Sequence, residues 1–537
     1  MTRFYRLFLI SAVLAVFTAS LAAQLPECPL RPKPGGALVN PPDVFSQNGL
    51  LSAAFTMRSS FDAEGYLHVC YNYDSSSTGR VEAPTLRVNP GDQLLLQLTN
   101  RLTYSPPAPP RGPARRPVMT MPARGTSNDP CTGGTMVATS TNVHFHGLNI
   151  PPKCHQDEVI QTDIENTDPP FEYSVQIPKN DSPGMFWYHP HLHGFATVQV
   201  NGGAPGALIV GGMEKVKPQV GGLPERVFVI RQQFTDPNKW LGGTNQLTIN
   251  YHQAIAPLGA SPVITMKPGA KEFWRVANAS NQAFLALQVQ FGTTPQPLEL
   301  IALDGIPVTN STQVTTIQVP PAGRAEFIVQ GPPSNTAASF WQSGVDTGPI
   351  GNANPPQQLA TIEISANAQE PLALPPAPAT PETSPQRFAG LAGLTPTAQR
   401  KLYFAEATNG SAGPTEFFIA LDGQTPKVFN VDEPPSIVTK VGAVEDWTIE
   451  NRTGEDHAFH IHQVHFLFLA VNGVPLKDQE LRDTVIVPYW DGKSPYPSVK
   501  VRIDFRDLEI AGTFVYHCHV LDHEDGGMME KIQVNPN

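Results

Sequence analysis

The sequence predicts an all-β protein made of three consecutive Greek-key β-sandwich or barrel domains. Three observations carry that expectation. The chain has 537 residues, too many for one ordinary core. It is rich in turn formers, with 56 Pro and 43 Gly, and only 15% of it is charged. One strand-turn-strand pattern also occurs three times, with no helix-period patterning in any copy.

The first copy runs from Pro84 through Gly91 to Asn100, with Gly seven residues after Pro and Asn nine residues after Gly. The same spacing recurs as Pro262, Gly269, Asn278 in PVITMKPGAKEFWRVAN and as Pro435, Gly442, Asn451 in PSIVTKVGAVEDWTIEN. Leu86 and Val88 precede the first turn, and Leu94, Leu96 and Leu98 follow it. Val276 and Ile449 take the place of Leu98 in the later copies. Alternation of this kind buries one face of a strand on each side of a turn. One match would mean little in a chain so rich in Pro and Gly. Three in one register, 178 and 173 residues apart, predict three homologous domains.

The expected boundaries follow from this register. The first domain covers 45–212 and the second 213–370. A Pro-rich linker occupies 371–385, and the third domain covers 386–537. The Pro/Arg-rich stretch 105–117 is expected to be a surface loop of the first domain.

Residues 1–22 read as a secretion signal: Arg3 and Arg6, an apolar run Leu7 to Phe17, then small residues at Ser20 and Ala22. The apolar run is short for a membrane anchor. A secreted or periplasmic protein without a stable membrane anchor is therefore expected. The formal net charge is −11, about −13 once the signal is removed, with no long basic run, so nucleic acid is not an expected partner.

An exported chain with an odd cysteine count leaves one thiol over. Cys28, Cys70, Cys131 and Cys154 lie in the first third and allow three pairings, of which Cys131 with Cys154, flanking the first histidine pair, is favoured. Cys518 stands alone between two histidines near the end of the chain.

Ten of the 15 histidines fall in four clusters: His144 and His146; His189 and His191; His457, His460 and His462; and His517, His519 and His523. Residues i and i+2 of a strand share a face, so each His-X-His presents two imidazoles side by side. Four such pairs suit a polynuclear metal site contributed by the first and third domains. In His517-Cys518-His519 the thiol points away from its neighbours. With His457, His523 and Met528 it forms the ligand set of a blue-copper electron-transfer site. Zinc is the rival metal, but zinc sites usually close with four ligands, fewer than this set offers.

These clusters resemble the multicopper oxidase family. The segment from His517 to Met528 matches its H-C-H-x₃-H-x₃-G-M signature, and His457 to His462 matches its H-P-x-H-x-H, with Ala458 in place of the usual Pro. That replacement is expected to alter a turn, not a ligand. LDGIPV (303–308) and PPAGRAEFIV (320–329) extend the resemblance through the second domain. The resemblance implies three cupredoxin-like domains, laccase-like activity on a reducing, phenolic substrate, and reduction of O₂ to water. It implies four copper ions: one type 1, one type 2 and two type 3. The type 1 copper takes His457, Cys518, His523 and Met528, whose thioether implies a moderate reduction potential. The type 2 copper takes His144 and His460. The type 3 pair takes His146, His189 and His519 on one ion and His191, His462 and His517 on the other.

Asp157 and Glu524 resemble the family's proton-relay acids, and Glu158 is a neighbouring carboxylate. His193 and His465 adjoin ligand motifs and are read as orienting residues; His68, His155 and His252 are read as satisfied elsewhere. A monomer suffices, since one chain carries both halves of the site. A metal-ion oxidase acting on Cu(I), Mn(II) or Fe(II) is the alternative, with Met119, Met121 and Met136 as a weak hint. A copper-sequestering or electron-carrier protein is the alternative from another class.

Overall fold

Each repeated glycine sits in a turn with left-handed φ, +89° at Gly91, +67° at Gly269 and +94° at Gly442, a conformation that side chains with a Cβ disfavour. In the computed structural model, which describes residues 27–536 apart from 63–64, 76–78, 104–128, 135, 235–244, 255–259, 384–386, 409–414 and 494, the turn does not close a hairpin. The strand before it and the strand after it enter different sheets. Thr85–Val88 runs parallel to Gly206–Val210, whereas Gln93–Arg101 runs parallel to Leu50–Phe61. The second copy repeats this: Val263–Met266 runs parallel to Gln357–Ile364, and Lys271–Asn278 to Glu225–Phe234. So does the third, with Ile437–Lys440 parallel to Met529–Asn535, and Ala443–Asn451 to Ala398–Thr408. The pattern read as strand, turn, strand is therefore an arch between two facing sheets. Alternating burial results because each strand faces the same core from opposite sides.

That arrangement yields six sheets, two for each copy of the pattern. Leu86, Val88, Leu94, Leu96 and Leu98 all lie in the first core, Trp274 and Val276 in the second, and Trp447 and Ile449 in the third. The architecture is all-β with three cupredoxin-like domains. The expected signal at 1–22, the loop at 105–117, Met119, Met121 and the last two residues of the linker lie outside the described residues. No helix among the described residues is long and apolar enough to cross a membrane.

The repeated asparagine has a physical reason. Asn100 Nδ2 donates to the carbonyls of Thr139 and Ile164, and its Oδ1 accepts from Leu102 N. Asn278 braces Ala283, Val319 and Ser280 in the same way. Asn451 braces Glu455, Val487 and Thr453. Each side chain pins the buried loop that follows its strand. Asn278→Ala would strand the Val319 carbonyl and the Ser280 N–H and leave the Ala283 carbonyl to Ser280 Oγ alone at 3.3 Å, a loss of about 2–3 kcal/mol measurable by urea unfolding. A loss below about 0.5 kcal/mol would show the brace to be dispensable.

Cys28 pairs with Cys70 and Cys131 with Cys154, leaving Cys518 as the free, buried thiol. The second bridge is the pairing favoured from sequence.

Candidate metal centre

The strand His144–His146 is buried and directs both imidazoles away from the core that takes Phe145. The other three pairs straddle strand ends. Gly184–His189, His457–Ile461 and Gly512–Cys518 stop before His191, His462 and His519 respectively. Strand parity thus holds outright for one pair. In the others the second imidazole lies just past the ladder. Ala458 does not alter a turn, contrary to expectation. It lies inside a strand opposite Ile486, and its carbonyl accepts from His519 N at 2.7 Å.

The strand His457–Ile461 divides its histidines. His457 faces Cys518 and His523, while His460, three residues on, faces the other side. Among the groups of donor atoms that gather within 4.8 Å, four are built from these clusters: His144, His146, His460; His146, His189, His519; His191, His462, His517; and His457, Cys518, His523. His144 stacks on His462 at 3.9 Å, and His146 on His460 at 4.0 Å, across the seam between first and third domains.

Four of these eight rings, His144, His189, His460 and His517, have Nδ1 tied to the protein and the other nitrogen aimed inward. Nδ1 of His144 meets the Asp157 carboxylate at 3.0 Å; that of His460 meets the Asp483 carbonyl at 2.8 Å; that of His189 meets the Pro190 carbonyl at 3.0 Å. Their Nε2 atoms are buried without a partner, as are both nitrogens of His146 and His519. Nε2 of His517 lies 3.4 Å from that of His191 and 3.2 Å from that of His462. Burial on this scale without a partner is costly for polar atoms. Burial, reinforced by neighbouring histidines, holds His144, His146, His191, His462 and His519 well below the usual imidazole range. The rings are therefore neutral and their lone pairs available, which is what a metal requires.

The group that contains Cys518 reverses the ring orientation. Nε2 of His457 meets Thr453 Oγ1 at 2.8 Å, and Nε2 of His523 meets Glu455 at 3.2 Å. Their Nδ1 atoms lie 3.6 and 3.8 Å from Cys518 Sγ. Burial pushes the Cys518 thiol up to about 12, a cost that a bound metal removes by holding the thiolate. Met528 is buried in the same core cluster as Cys518, and its carbonyl accepts from Cys518 N at 3.1 Å. Met529 packs instead with Val159, Ile160, Phe429 and Val515.

Asp157 accepts from Phe145 N at 2.9 Å and Gln463 Nε2 at 2.5 Å, and burial pushes it up to about 7. Glu524 lies 3.1 Å from His517 Nδ1 and 3.6 Å from His191 Nε2. Glu158 caps the loop at Ile160, Gln161 and Thr162 instead. His465 Nε2 donates to the Asp304 carbonyl at 2.9 Å, and His193 is buried against Phe429. His68 meets Asp62 at 3.1 Å, His155 bonds the Glu172 carbonyl, and His252 lies in a short strand of the second domain.

Sequence reasoning missed Asp483, Glu455, Thr453 and Gln463. Glu455, two residues before His457, was within reach of a scan of ligand neighbours. Asp483 carries no motif. Burial would raise it, but the Arg324 charge and hydrogen bonds, with His465 and His460 beside them, together outweigh burial and hold it well below the ordinary carboxylate range.

Comparisons with known proteins agree with this geometry. Three family models, each described as multicopper oxidase, match residues 135–215, 229–366 and 396–537. A multicopper oxidase of Staphylococcus epidermidis is 23% identical over 471 residues, 85% of this chain and 83% of that protein. A laccase of Bacillus stratosphericus is 22% identical, over 73% of this chain and 80% of that one. A solved multicopper oxidase of Campylobacter jejuni, described as a metallo-oxidase, superposes with a TM-score of 0.65 at 20% identity, over 94% of this chain and 96% of that one. The chain therefore belongs to the multicopper oxidase family, copper-dependent oxidoreductases that act on small reducing substrates with O₂.

Proposed function

We propose that the chain is a laccase-like oxidase holding four copper ions. The observation that carries this reading is the division of the donor atoms into one Cys-containing group and three converging imidazole groups. His457, Cys518, His523 and Met528 would hold the type 1 copper, and His144 and His460 the type 2. His146, His189 and His519 would hold one type 3 ion, and His191, His462 and His517 the other. When bound, copper supplies single-electron uptake from a donor at the first site and reduction of O₂ to water at the second.

The chain's own residues do the rest. Cys518 is bonded through the backbone to both His517 and His519, so one short covalent path joins the two ligand groups. Asp157 orients His144 and, with a pKa of about 7, can take and release a proton near neutral pH. Glu524 is placed to hand protons in beside His517 and His191. The buried shell excludes water from the reacting region. A secretion signal and export to an oxidising compartment are supported by the two disulfides. One chain supplies every ligand, so a monomer suffices.

The donor is proposed to be phenolic. One observation favours the alternative of a metal ion: Glu455 covers His523 Nε2, and burial, with the charges of Glu406, Asp456 and Asp522, pushes Glu455 up to about 8, so that an arriving cation would displace its proton. A carboxylate shell of that kind favours a cationic donor. Turnover on a neutral phenol and on Fe(II), Mn(II) and Cu(I) separates the two. Glu455→Gln should lower kcat/KM about 10-fold on a metal ion and change it little on a phenol if the alternative holds. Equal effects on both would leave the phenol reading in place. Oxygen uptake by the copper-loaded protein excludes a mere carrier.

A further inference from the structure

The second domain holds none of the clustered ligands, yet its two motifs, LDGIPV and PPAGRAEFIV, meet at one buried point beside them. Arg324, fully buried, comes from the second motif and Asp304 from the first. Arg324 Nε donates to the Met185 carbonyl at 3.2 Å, in the first-domain strand that ends at His189. Its Nη1 donates to the Ala322 carbonyl and its Nη2 to the Asp304 carbonyl, at 3.1 and 2.8 Å. Both Nη atoms then grip the Asp483 carboxylate of the third domain, at 2.8 and 2.5 Å. Asp304 in turn accepts from Arg324 N, Arg482 Nε and Asp483 N.

One guanidinium thus binds all three domains. What it holds matters most. The carbonyl of Asp483 fixes His460 Nδ1 at 2.8 Å, and its carboxylate lies 3.5 Å from His146 Nε2 and 3.6 Å from His465 Nε2. Gly147 makes room for the pair. A Cβ there would strike the guanidinium and stand 2.7 Å from Asp483 Oδ2. The glycine that follows His146 is therefore tied to the same feature.

We propose that Arg324 is a positioning residue for the proposed type 2 copper: through Asp483 it sets His460, a ligand of that ion, beside His146 of the neighbouring type 3 ion, so that the ligand-free second domain controls retention of the type 2 metal. The type 2 site is the sensitive one because it takes only two imidazoles, and a planar, bidentate donor at Arg324 has no substitute in a lysine. This rests on the copper assignment made above.

The test uses the copper-loaded full chain and its Arg324→Lys, Asp483→Asn and combined variants. Blue absorption, the type 2 EPR signal, copper retained against a chelator and the unfolding temperature are measured for each. Each single variant should keep the wild-type blue absorption and lose the type 2 signal, with copper at that site removed at least about 10-fold more readily. The combined variant should lose no more than either single one, since both break one link. The proposal is overturned if the single variants keep the type 2 signal. It is also overturned if type 1 and type 2 signals fall together in step with unfolding temperature, the signature of general damage. Losses that multiply in the combined variant overturn the shared link. A wild type without any type 2 signal overturns the copper assignment and this inference together, which distinguishes the two failures.

Discussion

Cys518→Ser is expected to abolish the blue absorption and lower oxidase turnover by roughly three orders of magnitude or more. The thiol faces both His457 and His523 at once, and serine offers no thiolate. Folding should survive. The replacement is nearly isosteric, and one unsatisfied hydroxyl in a buried site costs about 1–3 kcal/mol. The imidazoles of His144, His189 and His460 are untouched, so EPR should still report copper bound among them. Turnover above about a tenth of wild type, or persistent blue colour, would remove Cys518 from its assigned role.

The copper-free protein should be sharply acid-labile. Burial, with the neighbouring rings, pushes His189, His460 and His523 down to about 3 and holds His144, His146, His191, His457, His462 and His519 well below 6.5. Between pH 6.5 and about 3 the unfolded chain binds protons that the folded chain refuses. Stability is therefore full above pH 6.5 and falls as pH drops, by about 1.4 kcal/mol per pH unit for each such histidine. Asp157 and Asp181, raised by burial to about 7, Glu455, raised to about 8, and Asp456, raised to about 6, act in the opposite sense and, with other buried carboxyls, offset part of this loss. A few uncompensated histidines already match the total stability of a domain, about 5–15 kcal/mol. Unfolding should begin within one or two units below neutrality. Copper should shift it to lower pH by mass action, until protons compete for the imidazoles. Unfolding temperatures between pH 7 and 4, with and without chelator, measure this. A flat copper-free profile would contradict the burial of neutral rings.

The fold class and the clustered ligands were legible because period-2 burial and His-X-His spacing are local signals. The Pro-Gly-Asn register marked three domains, and the structure supplies the reasons for two of its members, left-handed φ at the glycine and a loop brace at the asparagine. What local pattern does not encode is which sheet a strand joins. Thr85–Val88 and Gln93–Arg101 read as neighbours but belong to opposite sheets. The same limit hid Asp483 and Arg324, which meet across 159 residues and depend on how three domains pack. Glu455 differs. It is a sequence neighbour of His457 yet serves His523, so adjacency pointed to it without naming its partner.

The stacking of His144 on His462 and of His146 on His460 has a mechanical side. Ions that draw ligands from both domains, as one held by His144 and His460 would, act as rivets across the seam between the first and third domains. Closing that seam and gaining metal then become one equilibrium, in which a firmer interface means slower metal escape. The copper-free chain should breathe along this line and expose it to proteases that leave the loaded chain whole.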